Sequence, residues 1–256
     1  MFSLGLVSIS FRPLPPKDLV NLTAGAGLQK IEWGGDVHVP HGEIRTAERV
    51  RQLTMDAGLR SDTYGSYYRL ASRAPEQPEW KAVRDTALAL GCHTIRVWAG
   101  SRSSEKTSPL EKTEIFEDAE RIVEDARAHS LCIALEYHGN TLTDSRASTL
   151  ELLQGVPGLR TFWQPSPQLS RQDRSEGLIE ILPWIEHVHV YEWEPTPEGL
   201  LRHPLATGKE EWMSYLQTLA QSGRDHDLML EFVPGNDPTL LAREASTMKD
   251  WLSELT

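Results

Sequence analysis

Four short apolar runs in the second half of the chain finish on side chains that can hold a cation or move a proton. "LCIALE" (131–136) ends on Glu136 and is followed at once by Tyr137 and His138, and "LRTFWQ" (159–164) ends on Gln164. "IEHVHVY" (185–191) carries His187 and His189, and "DLMLEFV" (227–233) carries Glu231. Side chains alternate along an extended strand, so His187 and His189 share one face, with His189 nearer the strand end. Two carboxylates, an imidazole and an amide carbonyl form a hard to borderline donor set. It suits Mn²⁺, Mg²⁺, Co²⁺ or Zn²⁺ and excludes a structural thiolate zinc site.

Such donors meet only if the elements that carry them are brought side by side. Four further runs, "LGLVSIS" (4–10), "QKIEW" (29–33), "GLRSDTY" (58–64) and "HTIRVW" (93–98), share the apolar, β-branched character. Helical spacing fills the intervals, as in 43–58, 80–91, 114–130 and 211–223. Glycines at 27, 58 and 91 stand where a helix end meets the next strand, and a hydroxyl near 145–148 precedes another helix. Eight strands alternating with helices, with no linker and no shift in composition, predict a single (β/α)₈ barrel domain over 1–256. An open doubly wound sheet binding a dinucleotide needs a glycine-rich turn after its first strand, and "SISFRPLPP" has none. In a barrel the chemistry sits at the C-terminal strand ends, which is where Glu136, Gln164, His189 and Glu231 lie.

Around that mouth the sequence offers further polar and aromatic groups. Glu32 closes the second strand, and the loop "GGDVHVP" after it brings Asp36 and His38 within reach of a hydroxyl. Tyr64, Tyr67 and Tyr68 follow the third strand as candidate walls of a sugar-sized pocket. Arg96, a charge inside an apolar strand, needs a carboxylate partner, either Glu136 or an acidic group of the substrate. Trp98, with Trp33, Trp163 and Trp193, lies at or just past a strand end, and His138 can orient Glu136 or touch a hydroxyl.

A net charge of −11 leaves no basic face for a phosphate backbone, so a small molecule is the expected partner rather than nucleic acid. No apolar run reaches membrane-spanning length, and the N-terminus lacks the layout of a signal peptide. The two cysteines, Cys92 and Cys132, form no CxxC and sit beside apolar runs. A cytoplasmic location is the expectation.

The segments "GLVSISFR", "IEWGGDVHVP", "EYHGNTLTDS", "HVHVYEW" and "LEFV" together make the chain resemble the xylose isomerase-like barrel superfamily of sugar-phosphate isomerases and epimerases. That superfamily also contains inosose and 3-dehydroshikimate dehydratases and endonuclease IV-type enzymes. The segment 140–153 looks particularly like the matching part of 3-dehydroshikimate dehydratases. The resemblance implies one divalent metal on Glu136, His189 and Glu231, with Gln164 where the family usually has an aspartate or asparagine. Glutamine lacks the charge and is longer, so weaker metal binding is implied. The lysine that relatives carry two residues after the metal histidine is replaced by Tyr191. The implied reaction is a sugar or sugar-phosphate isomerisation or epimerisation, with Glu136 and Glu231 as base and acid around a metal-stabilised enediolate. A dehydratase of the 3-dehydroshikimate or inosose type is the alternative, and a barrel that binds a polyol without turnover is a second. The zinc-rich donor set and basic groove of a phosphodiester hydrolase are missing. Related barrels dimerise, which makes a homodimer an expectation.

Overall fold

The computed structural model describes residues 1–255. Strands β1 (Phe2–Val7), β2 (Lys30–Gly34), β3 (Arg60–Arg69), β4 (Thr94–Trp98), β5 (Cys132–Glu136), β6 (Arg160–Trp163) and β7 (Ile185–Val190) each lead toward a helix. Those helices are α1 (Pro16–Gly25), α2 (Ile44–Asp56), α3 (Trp80–Leu90), α4 (Pro109–Ala128), α5 (Arg146–Gly155), α6 (Arg171–Ile181) and α7 (Lys209–Ala220). Between β7 and α7 an antiparallel hairpin intervenes, β8 (Trp193–Thr196) and β9 (Gly199–Arg202). The chain closes with β10 (His226–Leu230) and α8 (Leu241–Glu254). The barrel strands pair in parallel in the order β1-β10-β7-β6-β5-β4-β3-β2, so β1 is bonded to both β2 and β10 and the sheet has no edge. The result is the expected (β/α)₈ barrel.

The alternation that builds it is legible strand by strand. Ile31 and Trp33, Ile133 and Leu135, Val188 and Val190, and Leu228 and Leu230 are all buried in the main apolar core. The residues between them point to the other face, toward the barrel axis. There stand Lys30 and Glu32, Ala134 and Glu136, His187 and His189, and Asp227 and Met229. Polar groups therefore line the axis while the apolar core lies between strands and helices. Helix ends follow local chemistry. Ser108 and Glu111 exchange hydrogen bonds in a capping box at the start of α4, Ser145 caps α5, and Gly91 ends α3 at φ 79°.

Most strand boundaries shift by a residue, Gln164 for one lying just past β6, and three differ in ways that bear on the site. The first strand stops at Val7 because residues 8–11 coil into a 3₁₀ turn. The third runs on to Arg69, its register against β4 slipping between Gly65 and Arg69, where Tyr67 takes φ 56°. The eighth ends at Leu230, and Glu231 lies one residue beyond, its N–H donated to Val190 O at 2.9 Å. At the N-terminal end of the barrel Lys30 Nζ bridges Asp62 (2.6 Å) and Asp227 (2.7 Å), and His187 Nδ1 lies 3.0 Å from Asp227. Among the described residues no helix is long and apolar enough to cross a membrane.

Candidate metal centre

Adjacent strands β5, β6, β7 and β10 carry their donors to one end of the barrel. Glu136, His189 and Glu231 each present a ligand atom there, all within 4.8 Å of one another, and all three residues are buried. His189 Nδ1 lies 3.7 Å from Glu136 Oε1 and 3.6 Å from Glu231 Oε2. These separations are too long for hydrogen bonds. They are close to what two ligands on one ion, each at about 2.0–2.2 Å, require.

The opposite ring nitrogen explains the arrangement. His189 Nε2 lies 3.0 Å from Glu32 Oε2, and Glu32 is fully buried, its other oxygen accepting from Arg96 Nε at 2.7 Å. A carboxylate in that place accepts a hydrogen bond from Nε2–H and so leaves Nδ1 of the neutral ring bare, the arrangement that orients a metal-binding histidine. Nδ1 is buried and has no hydrogen-bond partner. A buried nitrogen left open between two carboxylates fits a cation.

Charge points the same way. The buried cluster holds three carboxylates, Glu32, Glu136 and Glu231, against one guanidinium, Arg96, and an imidazole. With His189 neutral the excess is two negative charges, which one divalent ion cancels. Without it the groups shift against one another. Burial would raise the Glu32 carboxyl, but Arg96 and His189 outweigh it and bring it down to about 2. Burial likewise works against ionised Glu136, yet Arg96 and His189 hold it below the usual range. Glu231, without a guanidinium bound to it, is pushed up by burial and by the charge of Glu136. His189 is drawn up to about 9, its carboxylate neighbours Glu231, Glu32 and Glu136 overcoming burial. Arg96 stays charged despite burial because Glu136 and Glu32 flank it.

The remaining expected residues separate into two groups. Trp98 and His138 reach the mouth. Trp98 Nε1 donates to Glu136 Oε2, the oxygen that also accepts from Arg96 Nη1, and the His138 ring stacks on Trp98 with centroids 4.9 Å apart. His138 is half-buried, and its Nδ1 lies 2.6 Å from Gly139 O. The others make their polar contacts with protein groups, Arg96 among them with Glu136, one of the two partners expected for it. Glu32 has both oxygens engaged as described. Arg96, 2% exposed, spends its charge on Glu32 and Glu136. Tyr64 is fully buried and donates to Val39 O at 2.7 Å, and His38, also buried, pairs through Nδ1 with Ser8 Oγ at 3.0 Å. Trp33 and Trp163 belong to the core.

Gln164 also takes a different part. Its amide Nε2 donates to Tyr137 O at 2.8 Å and lies 3.4 Å from Glu136 Oε1, so the atom turned to the cluster is a donor that steadies Glu136, not a ligand oxygen. Three of the four expected residues, Glu136, His189 and Glu231, therefore form a group that could hold a metal ion. The sequence reading missed Arg69, whose guanidinium lies 3.9 Å from the Trp98 ring, and it offered Tyr67 only as one of three candidate walls. Tyr67 packs edge-on against Trp98 at 5.3 Å and sits under Arg96 at the same distance, placed there by its left-handed backbone. Nothing in a local pattern announces a backbone kink at a tyrosine.

Comparison with known proteins finds similar barrels. The chain is 27% identical over 201 residues to a 3-dehydroshikimate dehydratase of Bacillus anthracis, covering 73% of this chain and 70% of that protein. The crystal structure of the probable 3-DHS dehydratase from the same organism superposes with a TM-score of 0.79 at 25% identity, over 97% of this chain and 99% of that one. A xylose isomerase-like barrel protein from Mycobacterium smegmatis, solved in complex with magnesium, shares the fold at a TM-score of 0.77 and 12% identity, over 99% and 97% of the two chains. Residues 20–253 match the family model of the xylose isomerase-like TIM barrel, and the chain belongs to that family.

Proposed function

We propose that this protein is a divalent-metal-dependent dehydratase that removes water from a 3-dehydroshikimate-like acid, a cyclic ketone with a hydroxyl one carbon beyond the acidic C–H. The observation that carries the reading is the state of Glu136. One of its oxygens accepts from both Arg96 and Trp98, and Arg96 holds the carboxyl ionised. An isomerase or epimerase built on a Glu136/Glu231 pair needs both glutamates to exchange protons with the substrate. A glutamate pinned in this way is a poor proton carrier and a good anchor. The likeness to 3-dehydroshikimate dehydratase supports the same choice over the isomerase expected from sequence.

Glu136, His189 and Glu231 would hold the metal, which when bound supplies Lewis-acid stabilisation of the substrate's carbonyl oxygen as it gains charge. Proton movement falls to His138. Its Nδ1 faces a carbonyl that only an N–H can satisfy, so neutral His138 presents a bare Nε2. That nitrogen takes the proton from the carbon beside the carbonyl. The electron pair forms the new C=C bond, the C–O bond of the hydroxyl breaks, and the proton leaves with it as water. Trp98 supports the imidazole by stacking, and Tyr67 closes the side of the site.

The test is turnover of 3-dehydroshikimate by protein loaded with Mn²⁺ or Mg²⁺, followed by the near-ultraviolet absorbance of the dihydroxybenzoate that loss of water leaves. Absorbance that grows with metal and stops with chelator is expected. Epimerisation of a ketose without any loss of water from the acid would overturn the reading.

A further inference from the structure

A dehydroshikimate-like substrate carries a carboxylate remote from its reacting carbons, and something must receive it. The cation that does so has to reach the mouth without already being neutralised. Arg96 is enclosed by two glutamates, and Arg12 is paired with Asp36. Tyr191, in the place of the relatives' lysine, is buried with its hydroxyl donated to Pro165 O. Among the described residues at the mouth, Arg69 and Arg202 form no ion pair. Arg69 lies over the Trp98 ring and donates to Gly100 O. Arg202 lines a cavity.

That cavity, of about 540 Å³, lies between the turn after β1, strand β9 and the segment after β10. Ile9, Phe11, Leu14, Phe232 and Pro238 give it apolar walls, and Arg202 is its unpaired charge. Two of its lining residues stand next to elements of the metal centre. Phe232 follows the ligand Glu231, and Ile9 packs with Met229, two residues before that ligand on the same face. Arg202 is held in place by Asn236 Oδ1 and by the Phe232 ring, 4.0 Å from its guanidinium carbon. Phe232 itself is fixed in a left-handed conformation, φ 59°, by its N–H donated to Ser10 Oγ at 2.8 Å. Beside Arg202 the Trp193 Nε1–H is buried without an acceptor. An unpaired guanidinium, held by Asn236 and Phe232 at the edge of an apolar, ring-sized cavity, makes a carboxylate subsite.

We infer that this cavity receives the carbocyclic acid's carboxylate, with Arg202 as its counter-ion and Phe232 as the face against its ring; the assignment rests on the dehydratase reading of the adjoining metal centre. The experiment compares binding of 3,4-dihydroxybenzoate with that of catechol, which lacks the carboxylate, to the metal-loaded protein by calorimetry. Wild type, Arg202→Met, Arg202→Lys and Arg69→Met are measured, with 3-dehydroshikimate turnover of wild type recorded separately. The expected result is a preference for the acid in wild type of about 10- to 100-fold, the range of one charge-assisted contact. It is lost in Arg202→Met, largely restored in Arg202→Lys and unchanged in Arg69→Met, with metal content constant. A preference that survives Arg202→Met, or that disappears in Arg69→Met instead, overturns the subsite even if turnover is normal. A preference that depends on Arg202 in a protein without turnover keeps the subsite and overturns the dehydratase reading. Absence of any preference in wild type overturns the subsite.

Discussion

Replacing Glu32 by glutamine keeps its volume, yet it offers His189 Nε2 an amide that can donate, which favours the ring form with its proton on Nδ1. Divalent-cation affinity should fall about 10- to 100-fold, the usual consequence of losing a carboxylate behind a metal histidine. Titration with Mn²⁺ measures it, and an unchanged affinity would separate Glu32 from the metal centre. His138→Gln should act on the other half of the chemistry, lowering kcat by about 10²- to 10⁴-fold while metal content stays at the wild-type level. A loss of metal in that variant would move His138 from proton transfer to metal binding. Glu136, His189 and Glu231 were readable because a charged group at the end of an apolar strand is conspicuous. Glu32 and Arg96 were visible as charges, but their partners lie across the barrel, 64 and 157 residues away for the Arg96 and His189 contacts to Glu32, and no local spacing encodes such pairs. Tyr64 looked like a pocket wall only because nothing in its neighbourhood shows which way a tyrosine faces.

Strand β3 gives up a side chain at Gly65 so that its neighbours can meet behind it. A Cβ there would stand 2.7 Å from Arg96 Nη2 and 2.8 Å from Glu32 Oε1, both pinned by their ion pairs. Gly65→Ala should therefore cost about 1–3 kcal/mol of stability, as overpacking does, and should weaken metal binding with it. Ser108→Ala, at the capping box of α4, should cost about 1 kcal/mol and leave metal affinity untouched. Chemical denaturation and metal titration of the two variants, side by side, check both statements. Strands and helices were legible because their two periods differ so plainly. The hairpin β8–β9 was not, since "WEPTPEGLLR" is short, half-exposed and carries two prolines, so it has neither the length nor the apolar face of a strand.

At the scale of the whole molecule, one part of the response to acid lies at the N-terminal end of the barrel, at His226. Burial, with Arg224 and the N-terminal ammonium, lowers His226 to about 4, against about 6.5 in an unfolded chain. The unfolded state thus takes up the proton first as pH falls. The stability this site contributes is complete above about 6.5 and is lost as pH drops from there through about 4. The urea midpoint of the metal-saturated protein should fall between pH 7.5 and 5, and less steeply in His226→Asn; equal slopes would show that this histidine does not govern the decline. The opposite end is divided differently. The candidate metal ligands hang from β5, from β7 and from the residue after β10, within the closed eightfold sheet, whereas Arg202 hangs from a hairpin that the sheet does not need for closure. The ribbon between residues 193 and 202 is therefore free to be rewritten by mutation without unpicking the staves that carry Glu136, His189 and Glu231.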